Sequence, residues 1–198
     1  GVAIALPANF GIAPSSQAAV LPPASGLKAI VSGSCSVATN QQVMHFIQSG
    51  RPALAIDPLR IAAGVDVCAE ALAWAGDKIA GGPVLIYSTA DTSAVKSIQS
   101  KLGVEAAGTL VEQTIAGIAR GLVELGVRQL VVAGGETSGA CVQALEIAQM
   151  RIGGQIDPGV PWCHALSPAA PDGLHITLKS GNFGTADFFT KAFAACAA

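Results

Sequence analysis

The sequence predicts an α/β fold, a mostly parallel sheet with helices on both faces in a Rossmann-like arrangement, with antiparallel strands toward the C-terminus. Three observations predict it. From Lys28 onward, short apolar runs closed by Gly, Ser, Asp or Pro alternate with longer segments of helical periodicity. The runs are too apolar to leave one face in water, as expected of parallel strands covered on both sides. Beyond Gly153 the pattern changes to strict alternation, with Leu174, Ile176 and Leu178 on one face and His175, Thr177 and Lys179 on the other. Late strands of this kind are expected as antiparallel additions at the sheet edge.

Taken in order, residues 1–26 carry Pro7, Pro14, Pro22 and Pro23 among Ala, Ser and Gly, which suits an interdomain linker or N-terminal extension. Residues 27–198 then form the domain. Strands are expected over 29–31, 53–56, 84–87 and 130–133. A helix through Thr39 and Gln42 follows the first. Between the third and fourth, Val104, Ala107, Val111, Ile115, Ile118, Leu122 and Leu125 recur at spacings of three and four, which predicts one long amphipathic helix stopped at Gly126. A further helix is expected over 140–145, and late strands over 155–160, 162–166 and 174–179. No internal repeat or low-complexity tract interrupts this order.

The chain has 198 residues, ordinary for one domain and long enough to bury a core without disulfide or metal staples. Hydrophobic residues make up 51% and charged residues 12%, a balance that calls for apolar surface to be covered by a partner. A missing domain or a second copy in a homo-oligomer would supply that cover. The net charge is -2 and the eleven Lys and Arg are scattered, so no nucleic-acid partner is expected. Cys35, Cys68, Cys141, Cys163 and Cys196 are odd in number and widely spaced, which reads as reduced thiols in a cytoplasmic protein. Residues 1–6 are apolar, but Pro7 follows and no basic segment precedes them, so they do not read as a secretory signal. No apolar run approaches the roughly 18 residues of a membrane span. The first residue is not Met, which reads as a fragment.

Chemistry is expected where strands end in glycine and helices begin, because backbone N–H groups and the helix dipole attract anions there. The first such loop is Ser32-Gly33-Ser34-Cys35-Ser36, where Gly33 permits a sharp turn and the hydroxyls of Ser34, Ser36 and Thr39 can either cap the helix or bind phosphate. The second is Gly134-Gly135-Glu136-Thr137-Ser138-Gly139. Its paired glycines allow close ligand approach, and Glu136 would repel a bare triphosphate unless it faces a ribose hydroxyl, a base or a metal. It is not G-x-G-x-x-G, so a dinucleotide site is weakly supported. The third is Lys179-Ser180-Gly181-Asn182-Phe183-Gly184. Residues 173–180 nearly spell a Walker A loop, yet Leu178 stands where glycine is required. Lys179 is either a phosphate partner or an ordinary lysine at a strand end.

Other residues have plainer readings. Cys35 beside a helix N-terminus could be an activated thiol, but no matched histidine accompanies it. His45 reads as a helix-surface or core histidine, Trp74 and Trp162 as packing residues. Asp57 and Asp91 read as turn or helix-start residues, although strand-end acids can also reach a ligand.

Together, Gly33-Ser-Cys-Ser36 with Thr39 and Gln42, Gly134-Gly-Glu-Thr-Ser-Gly139, and Lys179-Ser-Gly-Asn-Phe-Gly184 followed by Asp187-Phe-Phe189 resemble the four-carbon acid sugar kinases. Residues 7–10, Pro-Ala-Asn-Phe, also look like the connector after that family's N-terminal domain. The resemblance implies the nucleotide-binding C-terminal domain of a kinase for erythronate, threonate or 3-oxo-tetronate, using ATP and Mg²⁺ and giving the 4-phosphate. It implies nucleotide contacts from Ser32, Ser34, Ser36, Gly134, Gly135, Glu136, Thr137, Gly181, Asn182 and Gly184, with Lys179 as a phosphate partner. It also implies that the sugar-acid site and the catalytic base lie in an absent N-terminal domain, so this chain alone would be inactive. A non-catalytic nucleotide- or anion-binding module is the alternative, since fold alone does not fix function.

Overall fold

The computed structural model describes residues 7, 9–13, 19–88 and 103–196, with the backbone alone for 104–107. The expected strands are present. Three of the four early ones are buried, whereas Ala53–Ala55 at the sheet edge is only half-buried, with Ala55 exposed. Ala29, Ile30 and Val31, Val84, Leu85 and Ile86, and Leu130, Val131, Val132 and Ala133 all have no exposed surface. The elements in order are β1 Leu27–Ser32, α1 Val37–Gln48, β2 Ala53–Ala55, α2 Pro58–Ala62, α3 Val67–Gly76, β3 Val84–Tyr87, α4 Val104–Glu124, β4 Val127–Ala133, α5 Gly135–Ala144, β5 Met150–Asp157, β6 Val160–Ser167, β7 Ala170–Lys179 and α6 Phe188–Cys196.

Local chemistry sets the helix ends. The Ser36 hydroxyl accepts from Thr39 N and caps α1. Asp57 caps α2 by accepting from Leu59 N at 2.8 Å, with Pro58 in the first turn, so its helix-start reading holds. Asp91 lies outside the described residues. Gly126, at φ 103, takes the chain out of α4 into β4 as its position suggested.

The strands form one seven-stranded sheet in the order β2-β3-β1-β4-β7-β6-β5. The pairs β2–β3, β3–β1, β1–β4 and β4–β7 are parallel, and β7–β6 and β6–β5 antiparallel. One face packs Val31, Ile86, Leu130 and Val132 against Ile115, Ile118 and Leu122 of α4. The other packs Ile30, Leu85, Val131 and Ala133 against Phe46 of α1 and Phe188, Phe189 and Phe193 of α6. Among the described residues no helix is long and apolar enough to cross a membrane.

Two expectations are corrected. The strand ending at Lys179 is not an edge strand: β7 runs parallel to β4 inside the sheet, with Leu130↔Ile176 and Ala133↔Lys179 in register. Its polar face misled because it is buried yet satisfied internally. Thr177 Oγ1 donates to Pro161 O at 2.8 Å, and His175 Nε2 lies 3.0 Å from Pro22 O. Only β5 and β6 are the antiparallel additions. Second, Glu136, Thr137 and Ser138 stand in the first turn of α5 rather than in a loop. Gly134 at φ 127 makes the whole turn, and Ser138 N already donates to Gly134 O at 2.9 Å.

Candidate functional site

The chain leaves β1 and β4 at the same end of the sheet, but α1 and α5 then pack on opposite faces, opening a crevice between adjacent strand ends. In open α/β sheets this is where ligands bind. The end of β7 flanks it, so the three glycine-bearing segments converge. Gly33 N donates to Ala133 O at 3.0 Å and Gly134 N to Lys179 O at 2.8 Å, extending the two ladders into the loops.

Close packing explains the small residues. A Cβ on Gly33 would collide with Thr137 Oγ1, and one on Gly134 would stand 2.7 Å from the same oxygen and 3.3 Å from Ser34 N. Thr137, only 3% exposed, therefore fills the space beneath both glycines. Gly135 differs. It is exposed, and a Cβ there meets nothing within 4 Å. It begins a ten-residue helix whose first N–H groups lack intrahelical acceptors.

The first and third segments are tied through one carbonyl. Gly181 O accepts from Ser36 Oγ at 2.5 Å, Thr39 Oγ1 at 2.9 Å and Lys179 Nζ at 3.1 Å. Ser34 Oγ donates to Ser36 Oγ at 3.2 Å. Ser36 thus spends its hydroxyl on the helix cap and on Gly181, while Ser32 is the fully buried last residue of β1. Gln42, also fully buried, donates through Nε2 to Phe183 O, Gly184 O and Thr185 O at 3.0–3.1 Å. Asn182 and Phe183 stay exposed at the tip of the turn. Lys179 is fully buried, and burial pushes its ammonium down to about 8.

Two features gave no signal in the sequence. Asp157, from the end of β5, anchors the third segment by accepting from Thr185 N at 2.9 Å and from Lys191 Nζ at 2.6 Å. Burial alone would push its carboxyl up, but the bonds from Lys191 and Thr185 hold it below the ordinary range. On the other side of the crevice Glu112 of α4 meets Glu136 of α5. Burial, then the Glu136 charge and the hydrogen bond that a protonated Glu112 donates to it, push the Glu112 carboxyl up. No group of three or more His, Cys, Asp or Glu side chains able to hold a metal occurs among the described residues. Cys35 is exposed beside the crevice, whereas Cys141 and Cys163 are buried.

A family model described as a nucleotide-binding C-terminal domain matches residues 29–189. A protein of Burkholderia multivorans named 3-oxo-tetronate kinase is 51% identical, the match covering 98% of this chain and 45% of that protein. A 3-oxo-tetronate kinase of Pseudomonas fluorescens is 49% identical, over 97% of this chain and 44% of its own length. The crystal structure of Haemophilus influenzae protein HI1011 superposes with a TM-score of 0.80 at 35% identity, covering 88% of this chain and 41% of that one. The chain therefore spans less than half the length of the relatives it matches.

Proposed function

This chain belongs to the nucleotide-binding C-terminal domain family of the four-carbon acid sugar kinases, and on that premise we propose that it holds ATP for transfer of the γ-phosphoryl group to a four-carbon sugar acid. The names of its relatives favour 3-oxo-tetronate as acceptor over erythronate or threonate, with the 4-phosphate as product. The sugar-acid site and the base would reside in the part of those relatives that this chain does not match. Residues 1–26 would then be the connector, and the chain by itself would bind nucleotide without turnover.

The observation that carries this reading is Gly135, open to solvent at the start of α5 where the ends of β1, β4 and β7 meet. Phosphoryl transfer needs positioning and charge neutralisation more than covalent chemistry from the protein. The amides following Gly134 would take phosphate oxygens, and Gly33 and Ser34 would form the facing wall. Asn182, Gly181 and Gly184 would close the third side. Mg²⁺ would neutralise phosphate charge when bound. Glu136 and Glu112 fit it as hard oxygen donors, and so small a donor set suits an ion carried mainly by phosphate and water.

The test is calorimetric titration of the chain and of Gly135→Val with ADP and Mg²⁺. Binding by the native chain and its loss in a variant that still unfolds cooperatively is expected. Normal affinity in the folded variant would remove the site, and no binding by the native chain would remove the reading.

A further inference from the structure

Lys179 is the last residue of β7 and has no exposed surface. Its Nζ has three neighbours at hydrogen-bonding distance: Thr39 Oγ1 at 3.0 Å and the carbonyls of Ser180 and Gly181, each at 3.1 Å. Carbonyls only accept, and the Thr39 proton is directed at Gly181 O at 2.9 Å. The surroundings therefore call for three protons on Nζ, the ammonium form. Yet among the described residues no carboxylate pairs with that charge. Lys179 faces Thr39 from α1, whose titratable side chain, His45, lies in its last turn. β4 contributes Ala133 alongside. Beyond the loop, Asp157 of β5, Asp187 just before α6 and Lys191 of α6 are engaged with one another. Burial pushes the amine down, bringing its titration to about 8.

A buried cation with neutral acceptors is stable only when something compensates its charge. If Nζ loses a proton, the Thr39 hydroxyl must turn and donate to it, which strips Gly181 O of one of its three donors. The protonation state thus reaches the turn that borders the crevice.

We propose that Lys179 is a positioning residue that couples nucleotide binding to proton uptake: the phosphates supply the missing negative charge, the ammonium becomes fully populated, and the Gly181 turn is fixed in its binding geometry. This rests on the proposed nucleotide site and specifies how its charge is balanced. In the step, free amine and one proton from solvent give ammonium, and no other bond changes.

The experiment is titration of the chain with ADP and excess Mg²⁺, which keeps the terminal phosphate ionised. It is run at pH 8 in Tris and in HEPES, whose differing heats of ionisation reveal proton transfer, and again at pH 7. Uptake of about half a proton at pH 8, falling toward zero at the lower pH, is expected of an amine titrating near 8 whose value rises on binding. Lys179→Met should abolish the uptake. Lys179→Arg, which cannot lose its charge, should bind without uptake and with no dependence on pH in this range. Binding by the native chain with equal heats in both buffers overturns this inference while leaving the nucleotide site intact. No binding at all overturns both. Uptake that persists in a folded Lys179→Met assigns the proton elsewhere and also overturns it.

Discussion

The Ser36 hydroxyl donates to the carbonyl of Gly181 at 2.5 Å, across 145 positions of sequence. That bond closes the β1 turn on the β7 turn, and the glycine is what lets them approach. A Cβ at Gly181 would stand 2.6 Å from Ser34 Oγ and 3.1 Å from Ser36 Oγ.

Gly181→Ala is therefore expected to push the two turns apart and weaken ADP binding by roughly tenfold, about 1.4 kcal/mol. Ser36→Ala should lose the cap of α1 as well as the bridge, lowering stability by about 1–2 kcal/mol in urea unfolding. Unchanged affinity and stability in both variants would show that the bridge carries neither.

Gln42 spends one amide nitrogen on three successive carbonyls, those of Phe183, Gly184 and Thr185. Gln42→Leu keeps the size but removes the donor, leaving carbonyls beneath the turn without it. A loss of about 1–3 kcal/mol is expected, with faster amide exchange confined to residues 181–185. Exchange rising evenly over the whole sheet would instead mean general destabilisation.

Acid should loosen the same turn. Burial opposes ionisation of Asp157, but the bonds from Lys191 and Thr185 prevail and lower its titration below the ordinary 3.8. Asp187 is lowered as well, first by its bond from Thr185. A carboxyl lowered on folding stabilises in full above its unfolded value and loses that contribution as the pH falls through its folded value. The contribution of these two carboxyls should thus be flat from pH 5 to 7 and fall steeply below about 4. Asp157→Asn should lose about 1–3 kcal/mol at pH 7 and show a shallower acid slope. An acid slope unchanged from the native chain would assign the effect to other carboxylates.

Thiol chemistry separates the kinase reading from one that depends on Cys35. Burial pushes the Cys141 thiol up to about 12, while Cys35 is exposed. Under native conditions an alkylating reagent should modify Cys35 and spare Cys141. Cys35→Ser should bind ADP as the native chain does. Lost binding in that variant would give the thiol a role that the phosphoryl-transfer reading leaves without a place.

The buried parallel strands, the long helix ending at Gly126 and the three glycine-bearing segments were all legible in the sequence, because each rests on local rules. Apolar runs report burial on both faces, a three-and-four spacing reports one helical stripe, and glycine after a strand reports a turn other residues strain to make. The place of β7 was not legible. Alternation reports that two faces differ, but it does not distinguish water from a buried polar face satisfied by Pro161 and Pro22. Nor was the start of α5, because a single glycine at φ 127 can complete a turn that composition spread over six residues.

The sequence by itself determined which segments are strands and helices, and which turns could receive an anion. The tertiary structure alone decided that Ser36, Thr39 and Lys179 converge on one carbonyl, that Asp157 holds Thr185, and that Glu112 meets Glu136. The reason is physical. Secondary structure follows from neighbours along the chain, whereas these contacts follow from strand order. Only placing β4 beside β1, and β7 beside β4, brings residues so distant in sequence within hydrogen-bonding distance.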